Sequence, residues 1–505
     1  MASTTTQPAT DSVPVAAASA PVLGRQESRV IWLLLAAAFV AILNETTMGV
    51  AIPHLITDLG ITALAAQWLT TAFMLTMAVV IPITGFLLRR FTTRAMFIAA
   101  MGLFSAGTLI AVLSPGFPML LVARVVQASG TAIMMPLLMT TIMTVVPPGI
   151  RGRMMGRVSI VISLAPAIGP TMAGAVLQNL NWRWIFAIVL PIALVALVIG
   201  ARWIHNLGET TKAPIDVLSV ILSALGFGGL VYGLSQLGGG GHGTGEEAVA
   251  AQNLSTASLI VSLTVGLIAL GLFAWRQVLL QRKDDALLDL RVFRSANFSL
   301  SIGQMVIMSM AFFGAITILP LYLQRVVGVS ALDTGLIVLP GALAMGLAGP
   351  WIGRIYDRWG TRVLLVPGAI ITSSVLWFYT TYTPTTPVWV IAIAHTVLSV
   401  GLALSFTPLF TASLASLQPK FYSYGSAVVG TAQQVAGAAG IALMFGVMSS
   451  ATAAASDAGA DALAAEAAGT HAAFLIAAIL SLPLLVGAFL VRKPVDQPFT
   501  PPVSH

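Results

Sequence analysis

The feature that most constrains this chain is a succession of apolar segments, each about 20 residues long, separated by short polar breaks. Such a segment, coiled at about 1.5 Å per residue, crosses a hydrocarbon core of about 30 Å, and as a helix it satisfies every backbone group internally. Hydropathy predicts fourteen of them, near 30–53, 66–88, 95–113, 117–146, 154–178, 184–204, 216–236, 256–278, 298–323, 332–352, 363–381, 387–412, 426–449 and 471–491. Composition agrees, since only 8% of the 505 residues are charged where a soluble domain carries about 25%. The fold class expected is therefore an all-α integral membrane protein of about fourteen transmembrane helices.

The net charge of +7 does not point to nucleic acid, because the basic residues stand singly in the breaks rather than on one face. If the N-terminus is cytoplasmic, all of the 24 Lys and Arg except Arg124, Arg183 and Arg325 fall on the inner side. That bias predicts both termini in the cytoplasm and an even number of spans. Residues 1–29 lack an apolar core and read as a cytoplasmic tail, and 492–505 as a second one. The stretches Gly238–Asn253 and Ser449–Gly469 read as solvated linkers, the second with the composition of a short surface helix. With no cysteine, disulfides, thiolate metal sites and cysteine nucleophiles are excluded. No phosphate loop, HExxH or nucleophile–base set is present, so neither an enzyme nor an ATP-driven pump is expected, and no metal or cofactor.

The chain repeats itself. Gly85 opens GFLLRRFTTR after the second apolar segment, and Gly353 opens GRIYDRWGTR after the tenth, 268 residues later. Ile52-Pro53 answers Leu319-Pro320, and Gly156 answers Gly425, at nearly the same offset. Two homologous six-helix halves follow, 30–204 and 298–491, with two helices inserted in 205–297. Halves of this kind suit alternating access around a midplane site better than a continuous pore.

GRIYDRWGTR resembles the cytoplasmic loop signature of the major facilitator superfamily, which implies a cytoplasmic gate formed by Gly353, Asp357, Arg358 and Arg362. The first copy departs from it, with Arg89 at the acid's position and Thr92 at the glycine's. Arg124-Val-Val-Gln127-Ala-Ser-Gly130 resembles the superfamily's membrane-embedded arginine motif. Pro166, Gly169, Pro170 and Gly174 in the fifth segment match the antiporter motif of its exporters, and Trp182-Arg183-Trp184-Ile185-Phe186 is similar to a segment of its fourteen-helix drug:proton antiporter family. The first segment reads Leu43-Asn44-Glu45, with the acid displaced by one residue from the usual position, a pattern similar to the lincomycin-resistance branch. The resemblance spans Arg29 to Lys493. It implies a monomeric exporter of lipophilic or cationic compounds in a bacterial inner membrane, driven by protons, with lipid and small molecules as its partners. A dedicated exporter of one metabolite or lipid, or an uncoupled facilitator, carries the same motifs.

Among the acidic residues Glu45 alone lies well inside an apolar segment, at a cost of roughly 2.5–3.5 kcal/mol on insertion scales, so it needs a partner, a proton or water. Arg124 is the matching cation. Glu45 lies eight residues from Pro53 and Arg124 six from Pro118, which places both about 9–12 Å below the outer surface. Either protonation and substrate compete for the Glu45 carboxylate, or Glu45 and Arg124 form a permanent ion pair between two helices. Asn44, Gln127, Gln304, His395 and Gln434 are the further candidates for the substrate cavity. His395 is readable as a proton relay or as an ordinary hydrogen-bonded histidine.

Overall fold

In the computed structural model, residues 24–206, 214–237 and 246–494 are described. They form fourteen long helices: α1 (Arg25–Leu59), α2 (Ala63–Arg90), α3 (Thr93–Leu113), α4 (Phe117–Val145), α5 (Arg151–Asn179), α6 (Arg183–Trp203), α7 (Val217–Leu237), α8 (Glu246–Leu280), α9 (Ala296–Leu321), α10 (Ala331–Trp359), α11 (Arg362–Tyr379), α12 (Val388–Ala415), α13 (Tyr422–Asp457) and α14 (Ala462–Leu490). Each contains a window apolar and long enough to span a bilayer. Their starts are set by short polar side chains: Thr62, Thr92, Ser295, Ser330 and Asp461 each accept a hydrogen bond from the backbone N–H three residues on, satisfying a donor that the first turn leaves open. Gly60, at φ 61°, ends α1 in the left-handed region, where a residue without Cβ is not penalised.

Three expectations shift at the margins. The first helix begins at Arg25, inside the expected tail, whose residues 1–23 lie outside the described ones. Gly238–Asn253 divides, with 238–245 outside the described residues and the rest belonging to α8. In Ser449–Gly469 the alanine-rich sequence prolongs α13 to Asp457 and starts α14 at Ala462, rather than making a separate surface helix.

Helices α1–α6 and α9–α14 are two halves with the same internal neighbours. The pairs α1–α5, α2–α4, α3–α4, α3–α6 and α1–α6 recur as α9–α13, α10–α12, α11–α12, α11–α14 and α9–α14. Across the halves, α5 packs on α10 and α2 on α13, which is again one contact repeated with the halves exchanged. Helices α7 and α8 pair with each other, and α7 lies against both α2 and α13. The ends bearing the arginine-rich loops, with the starts of α1 and the end of α14, lie together and are called the basic end below.

Candidate transport site

Arg124 sits on the second turn of α4 and is 1% exposed. Its Nη1 donates to Gln127 Oε1 one turn on, at 2.7 Å, and to Asn44 Oδ1 of α1 at 3.4 Å, while Nε donates to Leu69 O of α2 at 3.5 Å. The guanidinium carbon lies 4.1 Å from the centre of the Phe73 ring. Gln127 is oriented in turn, because its Nε2 donates to Thr108 Oγ1 of α3 at 2.8 Å and Thr108 donates to Phe104 O at 2.7 Å. One cation thus joins four helices through neutral acceptors and a ring face, which offset the cost of burying it.

Glu45 is not among those acceptors. It is half-buried and within electrostatic range of Arg124, yet among the described residues it makes no ion pair or hydrogen bond. Consecutive residues point about 100° apart around a helix, so Asn44 turns into the four-helix junction and Glu45 past it. Asn44 spends its oxygen on Arg124, and its buried Nδ2 finds no acceptor. On the same turns Thr46 and Thr47 donate back to Leu43 O and Asn44 O, at 3.0 and 2.8 Å, a pattern that loosens and bends helices. Gly169 of α5 is pressed against this stretch, where a Cβ would stand 2.2 Å from Thr46 Oγ1. Pro166 and Pro170 remove two amide donors from the same part of α5. At Gly174 a Cβ would meet nothing within 4 Å, so no close packing requires that glycine in this conformation.

The second-half candidates do not join this group. Gln304 donates from Nε2 to Pro483 O at 3.3 Å and lies against Gly487, between α9 and α14. His395, 3% exposed, pairs its Nδ1 with Tyr379 Oη at 3.3 Å and lies against Gly341. Each is bonded within its own half, and for buried His395 this is the ordinary packing alternative. Gln434 is half-buried on α13 and makes no hydrogen bond among the described residues.

At the basic end Asp357 Oδ1 and Oδ2 accept from the N–H groups of Gly152 and Arg153 at 2.7 and 2.9 Å. The acid of the second half therefore caps a helix of the first, where open donors and the helix dipole favour a carboxylate. Lys493 Nζ donates to Asp357 O at 2.8 Å. Gly360, at φ 81°, turns the chain toward α11. Arg358 and Arg362 are exposed, and neither is hydrogen-bonded to the other half among the described residues.

Two features here escaped the sequence reading. Gly152 and Gly156 of α5 face Gly353 and Gly349 of α10 so closely that a Cβ on Gly156 would stand 2.1 Å from Gly349 O. The spacing Gly-x-x-x-Gly on both helices was the available signal. Two hydroxyl pairs also bridge the halves, Ser159–Thr407 and Thr140–Ser426, each at 2.7 Å; nothing in a sequence pairs serine with threonine at such a distance. Among the described residues every hydrogen bond joining the halves lies between these pairs and the basic end, so the bundle is closed there.

Comparisons with known proteins accord with this geometry. A model of the Major Facilitator Superfamily matches residues 34–441. An uncharacterized MFS-type transporter of Bacillus subtilis is 42% identical over 92% of this chain and 95% of its own. The lincomycin resistance protein of Listeria monocytogenes is 40% identical over 83% of this chain and 86% of its own, and that of Bacillus subtilis is 39% identical over 91% and 95%. Among solved structures, the human organic anion transporter MFSD10 superposes with a TM-score of 0.62 at 13% identity, covering 92% of this chain and 99% of that one. The proton:xylose symporter XylE gives 0.59 at 14%, covering 91% and 96%.

Proposed function

The chain belongs to the major facilitator superfamily, and from that premise we propose that it is a proton-coupled antiporter exporting lipophilic or monocationic compounds across a bacterial cytoplasmic membrane. The observation that carries the coupling is the division of labour between Asn44 and Glu45. The neutral amide occupies the cation Arg124, which leaves the carboxylate beside it without a partner. A permanent Glu45–Arg124 ion pair would hold the proton off and the substrate out. An unpartnered carboxylate can take a proton in one state and face a cation in the other. Export as the direction is supported by the relatives named for lincomycin resistance and by the antiporter motif on α5. Closure at the basic end corresponds to a gate shut toward the cytoplasm, with the termini and basic loops on that side.

The test is substrate efflux in everted vesicles under an imposed pH gradient. Glu45→Gln is expected to abolish gradient-driven transport, at least tenfold, while purified protein still binds substrate. Asn44→Ala is expected to lower both, because it removes an acceptor of Arg124. Full gradient-driven efflux by Glu45→Gln would overturn the coupling role.

A further inference from the structure

The two contacts between the halves are equivalent by the repeat, yet they are covered differently at the basic end. Across α2–α13 lies α7, and the loop after α8 buries Leu287, Leu288 and Val292 there. That loop brings acids: Asp289 pairs with Arg291 at 2.6 Å, Asp284 pairs with Arg291 as well, and Arg89 and Lys420 act on Asp284 electrostatically. Arg89 also donates to Tyr424 Oη at 2.8 Å, and Tyr424 donates to Ala286 O at 3.1 Å. The insertion thus brings Asp284, beside its own Arg291, within electrostatic range of the seam cations Arg89 and Lys420.

Among the described residues neither inserted helix packs on α5–α10 as α7 packs on α2–α13, and the same region is rich in arginine. Arg153 and Arg157 stand one turn apart on α5, Arg354 and Arg358 one turn apart on α10, and Arg153 and Arg354 are close enough to Arg157 to repel it. The acid of this seam, Asp357, has both oxygens turned onto the α5 amides. Among the described residues none of these arginines forms an ion pair. Three rest on indole faces instead: Arg157 over Trp32, Arg354 over Trp351 and Arg358 over Trp359, at 5.0, 4.9 and 5.6 Å from the ring centre. Those tryptophans are 51%, 67% and 59% exposed, and Trp32 and Trp351 lie deeper in the bundle than the loops, where indoles settle at a membrane interface.

We propose that the basic end of the α5–α10 seam binds the phosphate of an anionic phospholipid. Arg153 and Arg157 of one half and Arg354 of the other close on a single headgroup, and Trp32 and Trp351 flank its glycerol region. The lipid phosphate supplies to these arginines the anion that Asp284 places near Arg89 and Lys420 in the other seam. Because its ligands come from both halves, a bound lipid favours the conformation in which they are together, closed at the basic end.

The full chain, reconstituted in nanodiscs of phosphatidylcholine with phosphatidylglycerol, is examined by native mass spectrometry for retained lipid. Wild type is expected to retain phosphatidylglycerol selectively, and Arg157→Gln and Arg354→Gln each to weaken retention about fivefold. Arg157→Lys keeps the charge and is expected to retain most of it, which separates charge from folding. Arg282→Gln with Lys283→Gln, two exposed basic positions of the insertion, is expected to change nothing. Equal loss in that control means diffuse surface charge, and displacement by inorganic phosphate means a soluble anion; either result overturns the proposal. Spin labels at Ala95→Cys and Val363→Cys, in a chain with no other cysteine, are expected to report more of the closed state with phosphatidylglycerol in wild type but not in Arg157→Gln.

Discussion

The α5–α10 and α2–α13 seams descend from one repeated contact and are held by different chemistry. In α5–α10 the backbones touch through Gly152, Gly156, Gly349 and Gly353, and the acid Asp357 is a helix cap. In α2–α13 Gly85 is the corresponding glycine, but its Cβ position lies 3.0 Å from Ala427 Cβ and 3.2 Å from Ser423 O, a looser fit. Arg89 stands where Asp357 stands in the other copy, and a cation cannot cap a helix N-terminus. It takes the Tyr424 hydroxyl and ring face instead, at 2.8 Å and 5.1 Å from the ring centre, and the insertion completes the closure. Thr92, in place of Gly360, keeps ordinary backbone angles and caps α3 through its hydroxyl. A degraded copy of a motif is thus a second solution to the same closure, one that depends on the inserted helices.

The largest expected difference between the seams is steric. Gly156→Ala places a methyl 2.1 Å from a backbone oxygen that no side-chain rotation can move, and overpacking of this kind costs about 1–3 kcal/mol. Efflux is expected to fall about tenfold or more as the basic end ceases to close. Gly85→Ala meets a methyl and a carbonyl at 3.0–3.2 Å, and is expected to lose less than threefold in the same assay. Equal losses would mean that the two seams bear the closure alike.

Next in size is the exchange of polar latches. Asp357→Asn removes the charge from two amide hydrogen bonds, each worth about 1.5–3 kcal/mol when one partner is charged. Arg89→Gln removes one phenol contact and a ring contact of about 0.5–1 kcal/mol. Label distances across the basic end are expected to show a larger open population for Asp357→Asn than for Arg89→Gln. The reverse order would make the insertion-backed seam the dominant gate.

The parts of this picture that were legible in the sequence are those written as periodicity or as motif. Fourteen apolar runs gave the fourteen helices, and the 268-residue repeat drew attention to two sets of six helices that have the same neighbours. That Glu45 and Arg124 come near each other was readable from counting residues along helices, but the azimuth was not. One position along α1 separates a side chain that meets Arg124, Asn44, from one that does not, Glu45. Gln304 and His395 illustrate the same point, because polarity within an apolar helix says that a partner exists and not on which face. For Gln304 the partner is Pro483 O and for His395 it is Tyr379, each on a neighbouring helix of its own half. The substitution of Arg89 for an acid was visible, but its consequence required Tyr424 and Ala286, residues distant in sequence.

The smallest expected effect concerns the anchor of the insertion itself. Arg276 of α8 donates through Nε and Nη2 to Asp216 at 2.6 and 2.8 Å, Ser219 donates to the same carboxylate, and Gln277 links Ser219 to the N–H of Leu288 in the loop that closes α2–α13. The Arg276 and Ser219 donors hold the Asp216 carboxyl down to about 2 from its ordinary 3.8. A carboxyl lowered in the folded state contributes stability that is fully present above the unfolded value and is lost as pH falls through the folded one. Wild type and Asp216→Asn are therefore expected to differ in thermal midpoint by a constant amount from pH 7 to 5, on the order of 2 °C for a partly solvated pair. The difference is expected to shrink below pH 4 and to vanish only below pH 2. Since among the described residues α7 packs on α2 and α13 and neither inserted helix packs comparably on α5 or α10, Asp216→Asn is expected to leave a crosslink between α5 and α10 unchanged while lowering one between α2 and α13. A loss at both would show that the insertion braces the whole basic end rather than the seam whose motif lacks its acid.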